Sequence, residues 1–225
     1  ILNSQRHVGF GYSSAQGTTD LQDIRKNYVS PAAATLANAM DSSSLNTVFK
    51  DVFNTVGTLG TTPSAVLTYL QARVKMLDLS TPPDGLVAVL EPLASATLQD
   101  AVKALFHPTS SLVEGWRKGQ FASNQLGFDV WAEDQNMPRF TSGSATTAST
   151  PLVNGAGQTG ASIITDGWGS GATSLKKGDI LTLGSVYSVN PLSKVSTGRL
   201  QQFVVTADIS DTTGAITIAI SPSII

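Results

Sequence analysis

Residues Leu175–Ile209 read "LKKGDILTLGSVYSVNPLSKVSTGRLQQFVVTADI": three apolar, β-branched runs set between turns. The runs are "DILTL" (179–183), "SVYSV" (185–189) and "LQQFVVTADI" (200–209). "KKGD" and "NPLSKVSTG" collect Gly, Pro, Asn, Asp and Ser, whose backbone preferences suit tight reversals. The pattern continues outward on both sides. "ASIIT" (161–165) lies upstream; "SDTTG" and then "AITIAI" (215–220) lie downstream, with Ile216, Ile218 and Ile220 alternating as in a half-buried strand. Short strands at this spacing predict a small antiparallel barrel or sandwich from about Arg139 onward.

Before Arg139 the period changes. "HVGFGYSS" alternates Val8, Phe10 and Tyr12 and predicts a strand. "TTDLQDIRKNYV" (18–29) predicts a short helix capped by Thr19 or Asp20. Pro31 restricts Ser30 and marks a break or a new helix start. From Pro31 to about Asn54 a long helix is expected, Ala-rich at first, then striped by Leu45, Val48, Phe49, Val52 and Phe53. Thr62 and Pro63 suggest the N-cap and N1 of a helix with Val66, Leu67, Leu70, Val74 and Leu77 on one face. "LVAVLE" (86–91) predicts a buried strand. "EPLASATLQDAVKALF" (91–106) predicts a helix with Leu98, Val102, Leu105 and Phe106 inward, and "LGFDVWAEDQNMP" (126–138) a strand ending at a proline. The chain is therefore expected to be α+β, an α/β part followed by an all-β part.

Composition bounds the chemistry. The 225 residues, 41% hydrophobic and 13% charged, suffice for one large or two small domains with a real core. The net charge of -2 provides no basic stripe for nucleic acid. The absence of cysteine excludes disulfides, thiolate nucleophiles and Cys-based metal sites. The two histidines, His7 and His107, lack a metal-ligand spacing. No apolar run reaches the roughly 18 residues of a membrane helix, and no signal peptide is visible.

Several motifs imitate active sites. Gly155, Gly157 and Gly160 in "NGAGQTGAS" (154–162) fit G-x-G-x-x-G. A dinucleotide fingerprint must follow a buried strand and open a helix. Here a polar linker precedes it and a strand pattern follows, so the glycines are expected to supply positive-φ turns and close backbone approach. Ser174 and Lys177 form S-x-x-K, but Gly178 and Asp179 follow at once, which suits a hairpin turn better than a catalytic helix. Glu133 and Asp134 are adjacent, so on a strand they point to opposite faces. His7 beside Arg6 reads as a strand-edge residue, and Trp116 with Arg117 and Lys118 as a packed ring with snorkelling cations. No nucleophile–base–acid set can be assembled, so no enzyme is expected and no catalytic, cofactor-binding or metal-binding residue is assigned.

"RHVGFGYSS", "YVSPAAATLANAMD", "LGFDVWAEDQNMPRF", "TPLVNGAGQTGASIITDGW", the opening stretch and "ISPSII" together resemble the major capsid (coat) proteins of short-tailed phages whose shell subunit carries an inserted β-barrel. "GDILTLGSVYSVNP" followed by "STGRLQQFVVTA" is the most specific part; "LGFDVWAEDQNMP" is similar to a signature found more widely in tailed-phage capsids. The resemblance implies the tailed-phage capsid fold. Residues 1–56 would be part of the peripheral domain with its spine helix, 57–138 part of the axial domain, and 139–225 the insertion β-barrel domain. It implies a structural subunit that assembles with copies of itself, as hexamers and pentamers, around scaffolding protein and with a portal protein. The resulting icosahedral head encloses DNA without sequence-specific binding and without a membrane. The virion would be assembled in the bacterial host cytoplasm. It also implies that this chain is an internal fragment, with an N-terminal arm before Ile1 and the rest of the axial domain after Ile225. Near-neutral surfaces and lysines near turns (Lys176, Lys177, Lys194, with Arg199) suit a container and limit edge-to-edge pairing. The alternative is a β-barrel binding module displayed on an α/β platform that recognises a partner surface.

Overall fold

A computed structural model describes residues 5–11, 13–14, 21–103, 117, 119, 121, 123–144, 151–168, 173–211 and 215–225. The chain divides into two units, Ile1–Thr47 and Val48–Ile225. Tyr12, Thr19, Asp20, Leu105, Phe106, His107, Trp116 and Lys118 lie outside the described residues.

The first unit is helical. A short helix α1 (Leu21–Ile24) runs through a π-turn at Arg25–Val29 into the long helix α2 (Ser30–Val48). Of the two outcomes expected at Pro31, the new helix start is the one found: the α-helix begins at Ser30, without a break, and Ser30 keeps helical angles (φ -63, ψ -46). Pro31 has no N–H to give to a preceding turn. The π-turn meets it with a wider register, in which Ser30 N–H donates to Arg25 O. The strand expected at residues 7–14 is also absent from the described part, because a strand needs a paired neighbour; Phe10 instead stacks on Tyr28 at 6.0 Å.

In the second unit the helical pattern expected up to Asn54 stops early. A single 3-10 turn, Phe49–Asp51, ends it, and Val52 is extended (φ -84, ψ 117). Tertiary bonding takes over at this point: Thr55 N–H donates to the side chain of Gln202 at 2.8 Å, a partner that a helix would deny it. Phe49 packs edge-on against Phe140 at 5.8 Å.

Helix α3 (Val66–Asp78) begins at an Ala65 cap rather than at Thr62. The Pro63 carbonyl instead accepts from the Tyr69 and Thr97 hydroxyls. The buried face also differs from the expected one. Leu67, Leu70 and Val74 are exposed, while Tyr69 is buried and meets Trp131 at 5.9 Å. Two apolar stripes compete on this helix; the one carrying the aromatic ring wins because it removes more area from water. Strand β1 (Val87–Leu90), helix α4 (Pro92–Val102) and strand β2 (Val130–Glu133) complete this layer. β1 and β2 pair in parallel, Val87 opposite Val130 and Leu90 opposite Glu133. Leu98 of α4 is fully buried. Phe121 and Phe128 add edge contacts to Trp131, so one indole ties three aromatic neighbours together.

The all-β part follows. Strands β3 (Leu152–Val153), β4 (Gly160–Asp166), β6 (Ile180–Val189), β7 (Ser196–Val205) and β9 (Ile216–Ile224) form an antiparallel sheet in the order β3-β4-β9-β7-β6. Strand β5 (Thr173–Leu175) pairs separately with β8 (Ile209–Asp211). The two runs expected at 179–183 and 185–189 are one strand; the register shifts between Thr182 and Tyr187, where Ser185 adopts φ 66. The core gathers Ile163, Trp168, Leu175, Phe203, Val205, Ile216, Ile218 and Ile220. Its buried polar groups are satisfied, with Trp168 Nε1 donating to Thr165 Oγ1 at 2.8 Å and Thr165 Oγ1 to Ile216 O at 3.2 Å. The "KKGD" turn is closed by Asp179, whose carboxylate accepts from the Lys176 and Gly143 N–H groups.

Phe203→Ala leaves a large cavity at a position 2% exposed. Urea denaturation is expected to show a loss of about 3–5 kcal/mol, whereas a loss under about 1 kcal/mol would place Phe203 outside the core.

Candidate functional site

Strands β6 and β7 have two unlike faces. Leu181, Leu183, Phe203 and Val205 point into the core, so Thr182 and Gln202, opposite one another in the register, point the other way. That second face meets the last turns of α3, and the seam between them is polar. Gln202 Oε1 accepts from Thr55 N–H and from Lys75 Nζ; Lys75 Nζ also donates to Thr55 O at 3.1 Å. Arg199 Nε lies 3.2 Å from the Asp78 carboxylate.

Asn190 completes the seam from the β6–β7 hairpin. Its amide donates to Asp78 O at 2.7 Å, and its Oδ1 accepts from the Ser80 hydroxyl and from the N–H groups of Leu192 and Ser193. One side chain thus orders its own turn and fastens it to the end of α3. Part-exposed ion pairs such as Arg199–Asp78 contribute about 0–1 kcal/mol each; the seam sets orientation more than stability. Burial, and then the Arg199 charge, holds the Lys75 ammonium below the ordinary lysine value.

Raising pH through that lowered value deprotonates folded Lys75 while the unfolded chain keeps its proton up to about 10.5. The unfolded state then binds more protons, so stability rises with pH in this alkaline window. Denaturation at a series of pH values just below 10.5 is expected to show this rise in the wild type and a flatter profile in Lys75→Met.

The hairpin between β3 and β4 is "NGAGQT"; its Gly155 and Gly157 adopt φ 100 and 69, and Gly160, the first residue of β4, adopts φ 100. The Gln158 side chain closes the loop, donating to Asn154 O and Ile164 O and accepting from Ile164 N–H at 2.6 Å. The loop joins two strands and opens no helix, so it lacks the phosphate-binding geometry of a dinucleotide turn. A Cβ at Gly157 would meet nothing within 4 Å. Gly157→Val is therefore expected to cost about 1–2 kcal/mol through backbone strain alone, read as a lowered thermal midpoint with no change of fold by circular dichroism.

The remaining sequence motifs do not converge. Lys177 pairs with Asp51 at 2.7 Å in a turn, while Ser174 lies on β5. Glu133 accepts from the Ser95 hydroxyl at 2.5 Å, and Asp134 from Asn136 N–H at 2.8 Å; the two acids serve different neighbours. Arg6, His7 and Arg117 are exposed. Among the described residues, no group of three His, Asp or Glu side chains could hold a metal ion, and no helix is long and apolar enough to cross a membrane.

The described residues leave apolar surface open. Leu67, Leu70 and Val74 line one side of α3, Val87, Val89 and Val130 one face of the parallel pair, and Leu192 at the hairpin tip is 80% exposed. Parallel strands ordinarily carry cover on both faces, and open apolar patches mark surfaces that partners bury. Sequence reading missed the whole seam. The alternation of Thr182 with Leu181 and Leu183 signals a polar outer face, but nothing in it names α3 as the neighbour.

Polar residues fasten the parts of the second unit together, and apolar faces remain open for contact. The chain belongs to the family described as P22 coat protein, gene protein 5, whose model it matches over residues 4–225. It is a bacteriophage capsid protein, which assembles with its own copies into the shell of the phage head. A search of the curated proteins gives no match.

Proposed function

We propose that this subunit has the tailed-phage capsid fold with an inserted β-barrel, and that it assembles with scaffolding protein around the space that DNA later fills. The observation that carries the insertion reading is the pairing of Gly160 at the start of β4 with Ile224 at the end of β9. β9 thus ends beside the β3–β4 hairpin, so the last strand of this part packs against its first two-stranded turn and the part closes on itself. A second observation supports it: among the described residues, β1 and β2 pair with each other alone, and the strands from Leu152 onward pair among themselves. On this reading residues 1–56 belong to the peripheral domain, 57–138 to the axial domain and 139–225 to the insertion. Copies form hexamers and pentamers, with a portal protein at one vertex, assembled in the host cytoplasm. The DNA inside is enclosed without base-specific contacts, as the net charge of -2 suits. The subunit works as a structural part and performs no catalysis.

Electron microscopy of the subunit co-expressed with its scaffolding protein tests the reading; closed shells are expected, and soluble monomers under every condition would overturn it. The open side of α3 is read as a contact between copies. Leu67→Lys with Val74→Lys should leave the circular dichroism spectrum unchanged and abolish shells, whereas normal shells would remove α3 from the interface.

A further inference from the structure

Beside the seam lies a cleft of about 340 Å³ between α3, residues 54–57 and the outer face of β6 and β7. Its charge is unbalanced. Arg199 and Asp78 neutralise one another, which leaves the Lys75 ammonium as a part-buried cation without a carboxylate partner among the described residues. Several donors on the same wall have N–H bonds to spare among the described residues. Lys75 uses two of its three N–H bonds, on Thr55 O and Gln202 Oε1. Arg199 engages Asp78 through Nε, so its two terminal nitrogens remain for another group. The Asn54 and Gln71 side chains line the cleft and make no hydrogen bond to any described residue.

We infer that this cleft is a binding site for a free oxyanion of phosphate size. The anion would take the third Lys75 N–H, the terminal nitrogens of Arg199 and the amides of Asn54 and Gln71. Charge-assisted bonds to a guanidinium and an ammonium are the strong ones available to a tetrahedral oxyanion. The ligand would also relieve the repulsion between Lys75 and Arg199, which the fold alone leaves standing. The half-enclosed volume favours a free anion over a phosphate on a polymer backbone. This site is independent of the assembly reading, since it needs only one folded subunit.

Thermal unfolding of the full chain in inorganic phosphate, against sodium chloride of equal ionic strength, tests the inference. Phosphate at a hundred times its Kd should raise the Tm by roughly 5 °C or more and chloride by much less. Lys75→Met should abolish the phosphate-specific shift. Gln71→Leu, which removes no bond of the fold, should weaken phosphate at least about fivefold by calorimetry, one lost hydrogen bond's worth. A short DNA oligonucleotide should leave the phosphate isotherm unmoved. Equal shifts in phosphate and chloride, unchanged affinity in Gln71→Leu, or competition by the oligonucleotide would overturn the assignment.

Discussion

The joint between the helical layer and the sheet in the second unit depends on the two-faced character of the β6–β7 ribbon. Its inner side chains are committed to the core; Phe203 and Val205 are essentially removed from water. That commitment fixes the pleat, and the pleat fixes Gln202 and Thr182 on the outside. A polar outer face cannot be covered by an oily neighbour without leaving groups unpaired, which costs about 1–3 kcal/mol for each buried group. The cover it receives is polar to match: Lys75 and Asp78 of α3, the Thr55 backbone, and Ser80 just beyond. Hydrogen bonds at Gln202, Lys75 and Asn190 orient the sheet against the helix, while Val204 on the same outer face is fully buried.

This division of labour suits a shell subunit. The two apolar cores, one around Trp131 and Leu98 and one around Phe203 and Ile218, each hold their own layer together. The seam between them is directional and modest in energy, because its ion pairs are part-exposed. Such a joint specifies an angle without fusing the layers into one core. The surfaces left over are apolar and open, at α3, at the parallel pair and at the hairpin tip. Assembly with its own copies would give such surfaces the cover that one subunit lacks.

The glycine loop shows how a motif loses its meaning in context. Gly155, Gly157 and Gly160 satisfy a nucleotide pattern letter by letter, and each has the positive φ that only glycine adopts without strain. The conformations serve a β-hairpin, whose carbonyls and N–H groups are collected by Gln158. Without a helix N-terminus there is no converging set of amides and no dipole for a phosphate. The candidate oxyanion cleft lies elsewhere and rests on side-chain charge, which no glycine pattern advertises.

By itself the sequence determined the α+β class, the strand character of the described residues after Arg139, and strands β1, β4 and β9 to within a few residues. Those properties are local: alternation of Ile216, Ile218 and Ile220, turn residues at short spacing, and a helical period in "PLASATLQDAV" need no distant partner. Residues "GDILTLGSVYSVNP" also carried the family likeness that the match over residues 4–225 establishes. Tertiary structure decided the rest. It ended α2 at Val48, because Thr55 found Gln202; it turned Tyr69 of α3 inward instead of Leu70, because Trp131 offered an aromatic partner. It placed Asp78 against Arg199 and Asn190, more than a hundred positions away. Pairings at that distance follow from which faces remain uncovered once each layer has formed, and a linear pattern carries no record of them.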